Sequence, residues 1–162
     1  MTHIVVFNIL WLTCCAYALH SGGAPERWAA ALEIVAIFLT TLVQALFRAH
    51  RYYTEFSTGI FVIDSVFLIA LCAIALTADR FWPMLAAGFQ VADIAVHLCK
   101  LAAPEILSLG YGIGIASWVY PKLILFAIGT WRHQQRLARY GKDPAWSRRR
   151  CAASERISSR SS

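Results

Sequence analysis

Five long apolar runs occupy most of the chain, and each approaches the length that crosses a lipid bilayer. A helix rises about 1.5 Å per residue, so about 20 apolar residues cross a hydrocarbon core of about 30 Å. Backbone groups in lipid must pair within their own segment, and none of the runs alternates polar and apolar residues, so we expect helices. The sequence therefore predicts an all-α, polytopic membrane helix bundle with five transmembrane helices, at residues 3–20, 28–48, 58–78, 81–101 and 106–131.

The composition excludes a water-soluble domain. The chain is 59% hydrophobic and only 15% charged, whereas about a quarter of the residues in soluble domains are charged. The connections between the runs are short, and only Asp79 and Arg80 separate the third run from the fourth. These two helices should therefore form a tight antiparallel hairpin. We expect one transmembrane bundle over residues 1–131 and a basic tail over residues 132–162.

The first run raises the question of a cleaved signal peptide. The tripeptide "AYA" at residues 16–18 fits a cleavage site of small residues. A signal peptide starts with positive charge, however, and "MTH" contains neither Lys nor Arg. The "LTCC" at residues 12–15 is also a poor match to a lipoprotein box. We interpret the first run as a retained helix.

The tail carries most of the positive charge. Nine of the fifteen Lys and Arg residues follow Trp131, and the net charge of the chain is +6. We expect the fifth helix to continue to about Tyr140 and to end at Gly141, and we expect the Ser- and Arg-rich remainder to be disordered. The basic run predicts contact with anionic lipid headgroups rather than with nucleic acid. The lipid-contacting residues are Arg148, Arg149 and Arg150.

Charge asymmetry also predicts the orientation. Lys and Arg are enriched on the cytoplasmic side of membrane proteins. A cytoplasmic tail places two loop residues and nine tail residues inside, eleven in all, against three outside. The loops alone disagree mildly, with two inside and three outside. The tail thus decides the expectation of an inner (plasma) membrane protein with its N-terminus outside and its C-terminus in the cytoplasm.

The cysteines give no site. None of the five lies in a Cys-x-x-Cys pair, and four of them lie within apolar runs. In that setting cysteine acts as a small hydrophobic residue. The count and spacing predict neither a disulfide framework nor a zinc site.

The fourth run carries a polar edge. An otherwise apolar helix is interrupted by Gln90, Asp93, His97 and Lys100. At about 100° per residue these four positions fall within one sector of about 80°. An ionisable group in hydrocarbon costs about 3 kcal/mol. The edge must therefore face protein or water.

Asp64 of the third run completes this candidate intramembrane polar cluster. It lies about as far before the turn at residues 79–80 as His97 lies after it, so the two should share a depth. One hypothesis is a hydrogen-bonded network that fixes helix register, with Lys100 extending to the membrane interface. The other is a proton or cation site, because intramembrane ionisable groups are site candidates by default.

A cofactor is not expected. Haem would need a second axial histidine at the depth of His97, and only His50 qualifies. An aspartate four residues before a histidine is a weak metal pattern. We therefore expect no metal and no cofactor.

Glu33 and Lys122 form a candidate buried ion pair. They lie about 8 Å and 14 Å from the same predicted side of the membrane. A lone buried charge is expensive, whereas a hydrogen-bonded pair roughly breaks even. Pro121 also frees a backbone carbonyl one turn earlier as a further acceptor. We expect a structural pair rather than a catalytic one.

The fifth run has a small-residue face made by Gly110, Gly114 and Ser117. Such faces let helices approach closely. We expect a helix-packing contact within the chain, with a dimer contact as the alternative. A nucleotide-binding loop is excluded because no strand precedes the glycines.

Two segments carry a resemblance to known proteins. The stretches "DRFWPMLAAGFQ" at residues 79–90 and "HLCKL" at residues 97–101 are similar to those of small, uncharacterised multi-pass bacterial inner-membrane proteins. The resemblance covers residues 60–132. It implies a multi-pass inner-membrane protein and supplies no activity.

The expected function is that of a non-enzymatic accessory subunit or scaffold. The small bundle contains no catalytic motif, and its expected partners are the lipid bilayer and other membrane protein subunits. The alternative is a small proton- or cation-coupled carrier that uses Asp64, Asp93 and His97.

Overall fold

The computed structural model describes residues 2–47, 58–78, 80–103 and 108–141, and these residues form five helices. The predicted all-helical fold with five helices is confirmed, and the apolar runs agree closely with the observed bounds. The helices are α1 (Thr2–Ser21), α2 (Ala24–Phe47), α3 (Thr58–Thr77), α4 (Trp82–Ala102) and α5 (Ser108–Tyr140).

Three helices are long and apolar enough to cross a membrane. These segments are Ala24–Leu46, Thr58–Thr77 and Trp82–Ala102, and α1 contributes a shorter apolar stretch over Val5–Ser21. Large apolar side chains such as Phe38 point outward from the bundle, as expected of faces that contact lipid. The count of five spans stays a prediction.

The helix α5 ends as the sequence indicates. Gly141 adopts a positive φ of 64°, and its N–H donates to the carbonyl of Leu137 at 2.9 Å. This is a left-handed cap that glycine adopts without steric cost. The lipid-contacting residues Arg148, Arg149 and Arg150, and the predicted disorder of the tail, lie outside the described residues.

The helices pack in a ring that follows chain order. Each contacts the next, α5 closes the ring against α1, and α5 also touches α2 across the interior. The core on α1 and α2 consists of small side chains, such as Cys15, Ala18 and Ala29, which permit close approach. Larger side chains fill the opposite side, where Trp82 meets Phe126 edge-on at 5.5 Å between ring centres. The ring leaves room inside for side chains from α2, α3, α4 and α5.

One end of the ring, here called the Glu26 end, is held by a buried polar contact. The indole N–H of Trp82 donates to Glu26 Oε1 at 3.0 Å, and Arg80 Nη1 lies 3.7 Å from the same oxygen. The Gln134 side-chain amide also donates to the carbonyl of Ser21. These contacts tie the α1–α2 turn to the start of α4 and to α5.

We predict that Gly129→Ala destabilises the bundle. A Cβ at Gly129 would lie 2.8 Å from Trp82 Nε1, so the indole must move away from Glu26 and leave a buried carboxylate without its donor. The expected loss is about 1–3 kcal/mol in the free energy of unfolding in detergent. Gly88→Ala is the matched control, since a Cβ there meets nothing within 4 Å, and alanine is the better helix former. Equal stability of the two variants would contradict the prediction.

Candidate functional site

The polar edge of α4 faces the interior of the ring. Its four polar side chains are buried, whereas residues on the other side of α4, such as Met84 and Val91, are exposed. The buried residues are Gln90, Asp93, His97 and Lys100. This placement follows from the helical spacing, because only one side of α4 is covered by protein.

Asp64 and His97 form the first pair within the site. His97 Nε2 lies 3.0 Å from Asp64 Oδ2, and the His97 ring meets Phe61 edge-on at 6.1 Å. The His97 side chain is fully buried, and that of Asp64 is 15% exposed. The tight connection between α3 and α4 places these two residues at the same depth.

Lys122 of α5 forms the second pair, with Asp93. Its Nζ lies 3.7 Å from Asp93 Oδ2 and 5.5 Å from the centre of the Phe67 ring. Both charged side chains are almost fully buried. The other carboxylate oxygen of Asp93, Oδ1, has no hydrogen-bond donor among the described residues.

Gln90 connects the two pairs. Its Nε2 donates to the main-chain carbonyl of Asp64 at 3.3 Å and to Asp64 Oδ1 at 3.4 Å. Its Oε1 accepts a hydrogen bond from Lys122 Nζ at 2.5 Å. Side chains from α3, α4 and α5 thus form one hydrogen-bonded network.

Glu33 lies beside this network without the direct partner that we expected. The ion pair that Lys122 forms within the described part of the chain is with Asp93, so the predicted Glu33–Lys122 pair is corrected. The reason is packing, because α4 contacts α5 extensively while α2 touches it only across the interior. Glu33 is 3% exposed, and the charges of Lys122 and Asp64 act on it. Its Oε2 has no donor from any described residue.

Lys100 occupies the far end of α4. It was expected to extend towards the membrane interface in the structural hypothesis, but it is only 3% exposed. It belongs to the last turn of α4, where a positive charge is favourable next to unpaired helix carbonyls. The structure therefore keeps Lys100 within the protein.

The expected small-residue face of α5 is brought into contact at one position. A Cβ at Gly114 would lie 3.0 Å from Val96 Cγ1 of α4, whereas one at Gly110 would meet nothing within 4 Å. Ser117 is exposed. Close approach of α4 and α5 therefore depends on Gly114.

The ionisable groups are arranged along the bundle axis. Measured from Trp82 at about 1.5 Å per residue, the α4 groups lie about 12, 16, 22 and 27 Å along the helix, in the order Gln90, Asp93, His97 and Lys100. Glu33 lies about 10 Å along α2 from Glu26, which bonds to Trp82. Buried polar groups therefore run from the Glu26 end to Lys100.

Sequence reasoning missed the contact between Glu26 and Arg80. Both residues lie outside the predicted apolar runs, Glu26 between the first and second runs and Arg80 between the third and fourth, yet both are buried. The available signal was their opposite charge in two turns predicted on the same side of the membrane. Their burial at helix starts was not visible in the hydrophobic pattern.

Comparison of the chain with protein-family models, curated proteins and solved structures finds no match.

We predict that stability couples Lys122 to Asp93 more strongly than to Glu33. Lys122→Met leaves a buried, unpaired carboxylate and should cost about 3–5 kcal/mol in the free energy of unfolding in detergent. Adding Asp93→Asn should restore about 1–3 kcal/mol of that loss. Adding Glu33→Gln instead is the matched control and should restore less. Strict additivity of Lys122→Met and Asp93→Asn would disprove the pairing.

Proposed function

We propose that this chain is a multi-pass membrane protein that acts as a small proton- or cation-coupled carrier. Its ion-binding groups are Asp64, Asp93 and His97. Ionisable side chains inside a membrane are costly and typically mark ion or proton pathways. Well-packed apolar residues often stabilise a fold as well as a buried ion pair does. A need for stability alone therefore does not account for this many charges in one small bundle.

The observation that carries the proposal is the incomplete coordination of Asp93. Its carboxylate is buried, one oxygen lies 3.7 Å from Lys122, and the other has no donor among the described side chains and main-chain groups. A purely structural network is expected to satisfy nearly all of its buried polar atoms. Glu26 Oε2 is a further exception among the described residues, but Asp93 is the one that contacts the network joining α3, α4 and α5. An open carboxylate oxygen is instead suited to accept a proton or a cation.

The neighbouring pair supports the same function. Histidine is the side chain whose charge changes most readily near neutral pH, and His97 contacts Asp64 at 3.0 Å. Gln90 links that pair to Lys122. A change of charge at one pair can therefore alter the hydrogen bonds of the other pair through the Gln90 amide, as coupled binding requires.

The second candidate is a non-enzymatic accessory subunit or scaffold. The Gln90 amide has partners at both of its ends, and such a network could serve only to hold α3, α4 and α5 in register. In this case the protein should copurify in mild detergent with other membrane subunits and should move no ion on its own. For either function we propose the inner membrane, a cytoplasmic C-terminus and an anionic lipid contact for the tail.

We predict that the purified protein moves protons across liposome membranes. The assay uses a trapped pH-sensitive dye and a potassium diffusion potential. Asp93→Asn should reduce proton flux to that of protein-free liposomes, because the amide cannot bind a proton in exchange. Thr41→Val is the matched control, since this exposed hydroxyl donates to the main chain of its own helix at Ile37, at 2.8 Å.

Two results would reject the carrier. One is wild-type flux no higher than that of protein-free liposomes, with sodium as well as potassium gradients. The other is equal flux in Asp93→Asn and Thr41→Val. Copurification of stoichiometric membrane subunits together with absent flux would establish the accessory function instead.

A further inference from the structure

Two buried carboxylates interact with one lysine in the interior of the bundle. Asp93 Oδ2 of α4 lies 3.7 Å from Lys122 Nζ, and Glu33 of α2 is buried where the positive charge of Lys122 acts on it. The other ionisable or polar groups that act on this region are Cys15 from α1, Asp64 from α3, and Gln90 and His97 from α4. The single positive charge of Lys122 therefore acts on two acids that come from different helices.

The charges at this position do not balance. Lys122 carries one positive charge, whereas ionised Asp93 and Glu33 would carry two negative charges. The charge of His97, when it is protonated, is directed at Asp64, which it contacts at 3.0 Å. A buried carboxylate without compensation is strongly unfavourable, and such a group takes up a proton instead. The charge count thus calls for one proton on the Glu33–Asp93 pair.

The geometry supports a proton that is shared rather than fixed. One oxygen of each carboxylate, Glu33 Oε2 and Asp93 Oδ1, is buried without a donor within the described residues. Lys122 Nζ lies 3.7 Å from Asp93, which is longer than the roughly 2.7–2.9 Å of a charge-assisted hydrogen bond. Its short contact is with Gln90 instead. Lys122 is therefore not held tightly by Asp93.

We propose that Glu33 is the second protonation site of the carrier, and that a single proton is shared between Glu33 and Asp93 across Lys122. This inference rests on the proposed function and identifies its coupling ion as the proton. When Lys122 pairs with Asp93, the proton is bound to Glu33. When Lys122 pairs with Glu33, the O–H bond of Glu33 is broken and one is formed on Asp93. Lys122 keeps its three N–H bonds throughout.

The exchange has a direction along the bundle. Asp93 lies about 16 Å along α4 from Trp82, whereas Glu33 lies about 10 Å along α2 from Glu26. Transfer from Asp93 to Glu33 therefore moves the proton towards the Glu26 end. Asp64 and His97 lie on the opposite side of Asp93, so Glu33 extends the site beyond the residues that the sequence pattern of α4 identifies.

The test is infrared spectroscopy of the full-length protein in liposomes at neutral pH, which detects the carbonyl band of a protonated carboxyl group. The wild-type protein should show one such band. Glu33→Gln should abolish it, and Glu33→Asp should retain it at a shifted frequency. Lys122→Met should add a second band, because neither acid then has a compensating charge. Glu26→Gln is the matched control at another buried carboxyl group and should leave the band unchanged.

Three results would overturn the inference. The first is a band that persists unchanged in Glu33→Gln or, should that variant not fold, one whose frequency is unaltered by Glu33→Asp. The second is a band whose frequency responds to Asp93→Glu and not to Glu33→Asp. The third is loss of the band when sodium replaces choline in the buffer, which would identify a metal cation as the ligand.

The expected bands without proton flux would uphold the shared proton and reject the carrier. Proton flux that requires Asp93, together with an infrared spectrum that does not change in the Glu33 variants, would uphold the carrier and reject the shared proton.

Discussion

The high cost of placing charge in hydrocarbon determines how this bundle is arranged. Because the polar side of an apolar helix that is long enough to span a membrane cannot face lipid, α4 turns it inward, and its apolar residues then face outward. Asp64 on α3 and Lys122 on α5 supply the partners that make this burial tolerable. The orientations of three helices about their axes thus follow from one set of side chains. Packing the helices in a ring encloses these polar side chains and lets them bond to one another.

The Glu26 end and the middle of the bundle interior differ in the origin of their charged groups. At the Glu26 end, Trp82 and Arg80 converge on a single carboxylate oxygen, and Gly129 leaves the space that the indole occupies. This contact joins chain connections, so it restrains how the helices meet. Further along the axis the charged groups come from helix interiors and retain open carboxylate oxygens at Glu33 and Asp93. Glu26 Oε2 is likewise buried without a hydrogen-bond donor among the described residues, so the two regions differ in where their charged groups come from and not in having an open carboxylate oxygen.

The sequence predicted the elements well because hydrophobic runs and helical periodicity are local properties. The helix bounds, the buried side of α4 and the shared depth of Asp64 and His97 each follow from spacing along the chain. The partner of Lys122 was mispredicted, since depth alone does not say which helices are neighbours. Glu33 and Asp93 both lay at a suitable height, and only the packing of α4 along α5 decides between them. Lys100, which helical spacing places on the same edge of α4, is buried with it.

Gln90 links the contact between Asp64 and His97 to the ion pair between Lys122 and Asp93. A carboxamide has a donor end and an acceptor end, and it carries no charge that protonation near neutral pH can change. Its donor end faces Asp64 and its acceptor end faces Lys122. Both bonds persist only while Asp64 offers an oxygen and Lys122 offers a proton. If Lys122 moves from Asp93 towards Glu33, the acceptor bond weakens, and the amide is free to rotate away from Asp64. The hydrogen-bond environment of His97 then changes although His97 does not touch Lys122, which links a proton shared in the middle of the bundle to a group near the far end of α4.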